Sequence, residues 1–286
     1  MIAEVAARLP QVDPAWAWAS YQPRTAADWN LAQASHLYRR AGLGASWAQL
    51  QEALAMSPAE AVNRLVDGDA AASEFDAQMH DAATSLLGSD QINGLAAWWL
   101  YRMVASPHPL EERMTMFWHG HFATSQAKVK NTRLMYQQHR TLRKNALGRF
   151  DHLLRDLARD PAMLIWLDSA SNKKSHPNEN FAREVMELFS LGLGNYSERD
   201  IQEAARAFTG WELRQDRFFF NRYQHDSGRK TVLGTTGPFD GDDVLTILLD
   251  QPATAEYIVG RMFRYFVNEV ESPPQALLEP LARGLV

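Results

Sequence analysis

Residues 176–208 read HPNENFAREVMELFSLGLGNYSERDIQEAARAF, and their punctuation is that of two helices with a sharp break between them. Pro177 suits a first helical turn, where its missing N–H is one of the groups left over anyway. From there to Leu191 the apolar residues recur at helical intervals, and Gly192 and Gly194 close the helix. Ser197-Glu198-Arg199-Asp200 has the spacing of a capping box. Ile201, Ala204, Ala205 and Phe208 then line the apolar face of the second helix.

The same signals extend outward in both directions. Asn30–Tyr38 and Ser46–Met56 read as helices either side of a break at Arg39–Gly44, and Ser57-Pro58-Ala59-Glu60 starts a helix through Val66. A further helix is expected around Glu74–Leu87. Leu95–Val104 is apolar on nearly every side and reads as buried. Pro107 and Pro109 open a helix to Trp118, Asn131–Leu147 is basic and amphipathic, and Phe150–Ala158 follows Gly148. Asp160-Pro161 starts a short apolar helix ending near Leu167, and Asp243–Leu249 and Ala253–Asn268 complete the helical set. Residues 211–233 break the pattern. Phe218–Phe220, Tyr223 and Thr231–Leu233 are strand-formers, and Asp226-Ser227-Gly228 can turn between them. The expectation is a mainly α fold: one irregular multi-helix domain over residues 1–286 with a small embedded β-hairpin near 211–233. Residues 1–30 form a poorly defined N-terminal extension. The last residues, LEPLARGLV, begin a helix they do not finish, so further C-terminal helices are expected after 286.

The chain of 286 residues is 46% hydrophobic and 22% charged with net charge −5, the balance of an ordinary globular protein rather than a disordered or fibrous one. No apolar run approaches a membrane span. Glu4 and Arg8 interrupt what a signal peptide would keep apolar, so the chain reads as cytoplasmic as it stands. With no cysteine, disulfides, thiolate metal sites and Cys nucleophiles are excluded. GxSxG, GxxxxGK[ST], HExxH and GxGxxG are all missing, which weakens serine-hydrolase, nucleotide and zincin readings. Charge is strongly segregated. Residues 41–101 hold eight acids against Arg64, while 113–150 hold eight bases and no acid. Such a stretch favours an anion; its alternative is internal pairing with the acidic segment or with carboxylates of residues 179–203. Nothing in the composition points to duplex nucleic acid.

Four constellations carry potential chemistry. In Phe117–Phe122 (FWHGHF), His119 and His121 one residue apart can turn two imidazoles to the same side of an extended segment, as metal ligands do; the alternative is a helix end whose histidines meet carbonyls. In Asn172–Phe189, Glu179, Arg183 and Glu187 form one stripe with Asn180 and Glu184 beside it. His176 sits at the helix mouth with Lys173 and Asn178 nearby. Here the alternative is Arg183 stapled between two glutamates as a structural network. His225-Asp226 can ligate a metal or act as base and orienting acid, or be only a turn. In Gly237–Asp243 the acids can bind a cation, though without the EF-hand spacing; the simpler reading makes Asp242 an N-cap.

Together these segments resemble a bacterial family catalogued as domain of unknown function 1800. The resemblance rests on HLYRRAGLG (36–44), FWHGHFATS (117–125), Asp160–Leu164, the run from His176 to Asp200 continuing through ARAFTGW to Trp211, His225-Asp226 and DGDDV (240–244). It covers most of residues 31–270. It implies a larger, mostly helical protein, often with an export signal, and no settled activity. By analogy it implies a partner protein similar to the phosphatase and sulfatase superfamily, because members tend to be encoded beside such a family. With no signal and no further C-terminal helices, the chain is expected to be a truncated member.

Two readings follow. In the enzyme reading, a hydrolase for an anionic substrate has Glu179, Glu184 and His176 as catalytic groups. Arg39, Lys173, Asn178, Asn180 and Arg183 bind substrate, and a divalent metal sits on His119, His121, His225 and Asp226. In the binding reading, the same polar residues are a structural network, and the basic face 128–149 contacts an acidic partner. A polyanion-binding module is a third option, marked by steep salt dependence. Geometry separates them: a catalytic site leaves polar groups converging on open space, whereas a network fills that space with its own hydrogen bonds.

Overall fold

Helix starts dominate the local structure, and several close by the reciprocal capping box: Ser46 with Gln49, Ser57 with Glu60, Ser197 with Asp200 and Asp240 with Asp243. The computed structural model describes residues 12–25, 28–69, 71–88, 91–170, 172–270 and 273–285. The chain divides into two compact units. The first takes in residues up to Phe117 together with Met262–Leu277, and the second takes in Trp118–Arg261 and residues from Leu278 onward.

In chain order the helices are α1 (Pro14–Ala17), α2 (Leu31–Ala41), α3 (Trp47–Leu54), α4 (Pro58–Asp67), α5 (Ala72–Leu87), α6 (Ile92–Ala105), α7 (Pro109–His121), α8 (Gln126–Val129) and α9 (Thr132–Lys144). There follow α10 (Phe150–Ala158), α11 (Pro161–Trp166), α12 (Glu179–Met186), α13 (Glu198–Ala207), α14 (Gly241–Leu249), α15 (Pro252–Phe266) and α16 (Gln275–Ala282). The fold is therefore mainly α, and among the described residues its strands lie within 211–237. No helix among the described residues is long and apolar enough to cross a membrane.

In the first unit, Ala34, Tyr38, Ala53 and Leu65 form a core shared by α2, α3 and α4. Buried Arg102 on α6 ties α5 and α7 to it, pairing with Asp76 and, at 2.7 Å, with Glu112. Apolar in sequence on nearly every side, α6 is nevertheless not buried all round. Leu95, Trp98 and Arg102 face inward, while Leu100, Tyr101 and Val104 are 60–79% exposed. In the second unit, Phe181, Phe208 and Trp211 pack edge to face with ring centres 5.0 Å apart along the chain Phe181–Phe208–Trp211, joining α12, α13 and the first strand.

The strands correct the expected turn. Instead of one hairpin closing at Asp226–Gly228 there are two. β1 (Trp211–Arg214) pairs antiparallel with β2 (Arg217–Phe220), and β3 (Lys230–Val232) pairs with β4 (Thr235–Gly237). Each closes through two residues with positive φ, Gln215-Asp216 and Leu233-Gly234, the conformation a two-residue turn needs to match strand twist. Asp226 does accept from the Gly228 N–H at 2.8 Å, but that local turn leads into β3 rather than joining it to the aromatic strand. Tyr223 lies in a 3₁₀ turn, Arg222–Gln224, not in a strand.

Two helix boundaries also differ. The helix expected over 177–191 is α for Glu179–Met186 and then π for Glu187–Leu191, where Ser190 Oγ donates back to the Val185 carbonyl at 2.7 Å. The N-cap of α14 is Asp240, not Asp242, since its carboxylate accepts from the N–H groups of both Asp242 and Asp243.

Candidate functional site

The loop between α11 and α12 holds Lys173, His176 and Asn178 of the polar residues singled out by sequence, and its backbone pairing fixes their positions. The Ala170 carbonyl accepts from Leu213 N at 3.0 Å. Asn172 N donates to the Trp211 carbonyl at 3.2 Å, and its own carbonyl accepts from Gly210 N at 2.7 Å. The loop thus runs along β1 as an extra edge, and Lys174 N extends the lacing to the Gln224 carbonyl at 2.8 Å. Gly210 has φ +86°, and a Cβ there would meet the Asn221 carbonyl oxygen at 2.6 Å, so the close approach requires glycine. Asn172 is fully buried, and its Oδ1 accepts from Asn178 N at 3.0 Å. Asn178 then caps α12 through Phe181 N and donates to the Leu167 carbonyl at 2.9 Å; Asn180 reaches the same carbonyl at 3.4 Å. Lys173, His176 and Glu179 remain exposed, and His176 is held by its backbone N–H to the Lys173 carbonyl at 2.9 Å.

On α12 the stripe expected from spacing is present, but its pairing is different. Arg183 closes on Glu198 of α13 through two bonds of 2.8 and 2.7 Å. Glu187 accepts the Tyr196 hydroxyl; burial and that bond push the phenol up to about 12. Glu184 is half-buried, and desolvation followed by the charge of Glu187 raises its carboxyl above the usual range.

The histidines are dispersed. His119 and His121 both lie in α7, not on an extended segment, so two positions on the helix separate their directions by about 200°. His121 is buried, its Nε2 donates to the Phe189 carbonyl at 3.2 Å, and burial pushes its pKa down to about 4. Burial also lowers that of His119. His225 Nδ1 donates to the Thr209 carbonyl at 2.9 Å, and Asp226 is taken by Arg206 at 2.8 Å, which holds the carboxyl below its ordinary value. Among the described residues no three His, Asp or Glu side chains gather closely enough to hold a metal ion. Arg39 lies in the first unit, on the face of α2 that lines a cavity; every other residue singled out belongs to the second unit.

Sequence reasoning missed the network beside Asp226. Arg206 also pairs with Glu203 at 3.0 Å, and Glu203 accepts from Thr231 N at 2.9 Å. Lys230 is 1% exposed, and its ammonium donates to the carbonyls of Gly228 at 3.0 Å, Phe239 at 2.8 Å and Asp226. Burial lowers its pKa. The Glu203/Arg206 spacing signals an i, i+3 pair, but Arg229-Lys230 in a turn carries no mark of burial.

The basic segment is the remaining polar surface. On α9 the buried side is Leu134, Gln138 and Leu142, and the exposed side is Arg133, Gln137, Arg140 and Lys144, at i, i+4, i+7 and i+11. Lys128 and Arg149 are paired, with Asp168 at 2.8 Å and Asp151 at 2.9 Å. Among the described residues no ion pair engages Lys130, Arg133, Arg140 or Lys144.

A family model described as a protein of unknown function (DUF1800) matches residues 36–285. No curated protein and no solved structure matches the chain.

Proposed function

The chain belongs to the DUF1800 family of proteins of unknown function, and we propose that it is a binding protein that docks an acidic protein surface on the exposed stripe of α9. One observation carries this reading. Arg133, Arg140 and Lys144 stand in a row on one helix face, over about 16 Å at the helical rise, and no carboxylate of the described chain neutralises them. The polar residues around α12 also support it: Asn178, Arg183, Glu187 and Asp226 are consumed by bonds within the protein, as scaffold residues are.

The test uses immobilised poly-L-glutamate as the acidic surface. Binding is expected to weaken steeply as salt rises and to fall to background in the triple variant Arg133→Glu/Arg140→Glu/Lys144→Glu. Salt-independent binding, or wild-type binding by the triple variant, would overturn the proposal.

One observation favours hydrolysis instead, namely the raised carboxyl of Glu184 on the helix that also carries Glu179 and follows His176. A carboxyl whose burial favours the protonated form is suited to general acid catalysis. Turnover of phosphate or sulfate esters that Glu184→Gln abolishes, without change in thermal stability, would move the assignment to that reading.

A further inference from the structure

The first unit contains a cavity of about 760 Å³, within the range of small-molecule sites. Its walls are largely apolar, with Tyr21, Trp29, Leu37, Val62 and Phe266 among them. Two of the aromatic walls are fixed from behind. Trp29 Nε1 donates to the Ala53 carbonyl at 3.1 Å, and the Tyr21 hydroxyl donates to the Asp28 carbonyl at 2.9 Å. Trp29 and Leu37 also pack on the buried cluster of α2, α3 and α4.

One helix face supplies the polar side. Gln33, His36, Leu37 and Arg40 lie at i, i+3, i+4 and i+7 of α2, and Arg39 stands beside them. His36, Arg39 and Arg40 are exposed. Arg39 is oriented by its bond from Nη1 to Ser35 Oγ at 2.6 Å, and among the described residues no ion pair engages either arginine. No carboxylate is among the described side chains lining the cavity. Two guanidinium groups and an imidazole beside an aromatic recess leave a fixed positive charge next to an apolar volume, which is the complement of an amphiphile.

From this geometry we infer that the cavity binds a small amphiphile with a single anionic head, its apolar body against Trp29, Leu37 and Phe266 and its head at Arg39, Arg40 and His36. The site is separate from the α9 stripe and does not depend on it.

Isothermal titration of the full chain with octanoate, octyl sulfate and 1-octanol, all below micellar concentrations, tests this. One equivalent of at least one of the two anions is expected to bind, with the neutral alcohol at least about tenfold weaker, a difference of about 1.4 kcal/mol. Comparing the two anions tells a carboxylate head from a sulfate. Arg39→Ala/Arg40→Ala should lower the affinity to that of the alcohol. Val62→Trp, which fills the recess and leaves every cation in place, should abolish binding of all three. The two variants alter different helices of the lining, α2 and α4, so loss of helical circular dichroism in one leaves the other as a test. Absence of binding by both anions, equal binding of the alcohol, or wild-type affinity in either folded variant would overturn the inference.

Discussion

Arg183 does not pair with Glu179 or Glu187, four residues before and after it; its guanidinium closes instead on Glu198, with Nη1–Oε1 at 2.8 Å and Nη2–Oε2 at 2.7 Å. The pair joins α12 to α13 at a solvent-facing position, with side-chain exposures of 35% and 70%. Water and salt screen such pairs, so their geometry matters more than their strength. A double-mutant cycle with Arg183→Gln and Glu198→Gln in urea is expected to return a small coupling that shrinks further in high salt. A coupling as large as that of a buried pair would contradict this account.

Asn172 is the opposite case. It is fully buried, and its side chain accepts the N–H that opens the α12 cap. Asn172→Ala should cost about 1–3 kcal/mol in urea unfolding, because the Asn178 N–H loses its acceptor inside the protein. Asn172→Asp keeps the acceptor oxygen but buries a carboxylate, so recovery is expected only at low pH, where the carboxyl is protonated.

Two buried groups contribute to the acid response in opposite senses. His121 has a folded pKa near 4 against 6.5 unfolded, so between these values the unfolded chain binds a proton that the folded one refuses, and stability falls as pH falls. Asp160 caps α11, accepts from Gln138 Nε2 at 2.7 Å and is pushed up to about 6 by burial, against 3.8 unfolded. In that window the folded state binds the extra proton, and stability rises as pH falls. Relative to wild type, His121→Phe should therefore gain stability on going from pH 7 to 4.5 and Asp160→Asn should lose it, each by roughly 1 kcal/mol per pH unit at most. Parallel profiles in the two variants would show that neither group has the assigned shift.

Lys230 satisfies three carbonyls with one ammonium, and among the described residues no other hydrogen bond to them is made. Lys230→Met fills similar space but strands all three acceptors, and about 3 kcal/mol or more of stability is expected to go. Thermal melts comparing Lys230→Met with Lys230→Arg measure it; a neutral Met variant would mean that the loop closes without the ammonium.

Leu233 sits at φ +48° in the turn between β3 and β4, a conformation that disfavours a bulky side chain. Leu233→Asn, which tolerates that region and leaves the backbone N–H to Asp200 Oδ1 at 2.7 Å, should raise the melting temperature modestly. A fall would show that the leucine side chain contributes packing that outweighs the backbone strain.

Most of the helical framework was legible because its signals are local. Ser57/Glu60 and Ser197/Asp200 are capping boxes in the structure, and Gly192 does end its helix with positive φ, +74°. What was not legible depends on neighbours remote in sequence. The partner of Arg183 lies fifteen positions away on another helix. Lys230 is a nearer case: its ammonium meets carbonyls two, four and nine positions along the chain, an arrangement that nothing in the turn sequence marks. The histidine spacing read differently because the choice between periods of 2 and 3.6 was made by the continuation of α7 through Gly120, which its glycine does not forbid. The hairpins escaped because Gln215-Asp216 and Leu233-Gly234 lack the Asn-Gly signature of their turn class. At α9 the exposed basic face was readable from periodicity, but which of its cations are paired was not.

The lacing of the 170–174 loop to β1 has a dynamic consequence. The amides of Asn172, Gly210 and Leu213 are on two stretches nearly forty residues apart, yet each bond crosses from one stretch to the other. Neither stretch can release water-accessible N–H groups without the other. These amides should exchange with deuterium at a common rate, through one cooperative opening that frees the hairpin and the mouth of α12 together.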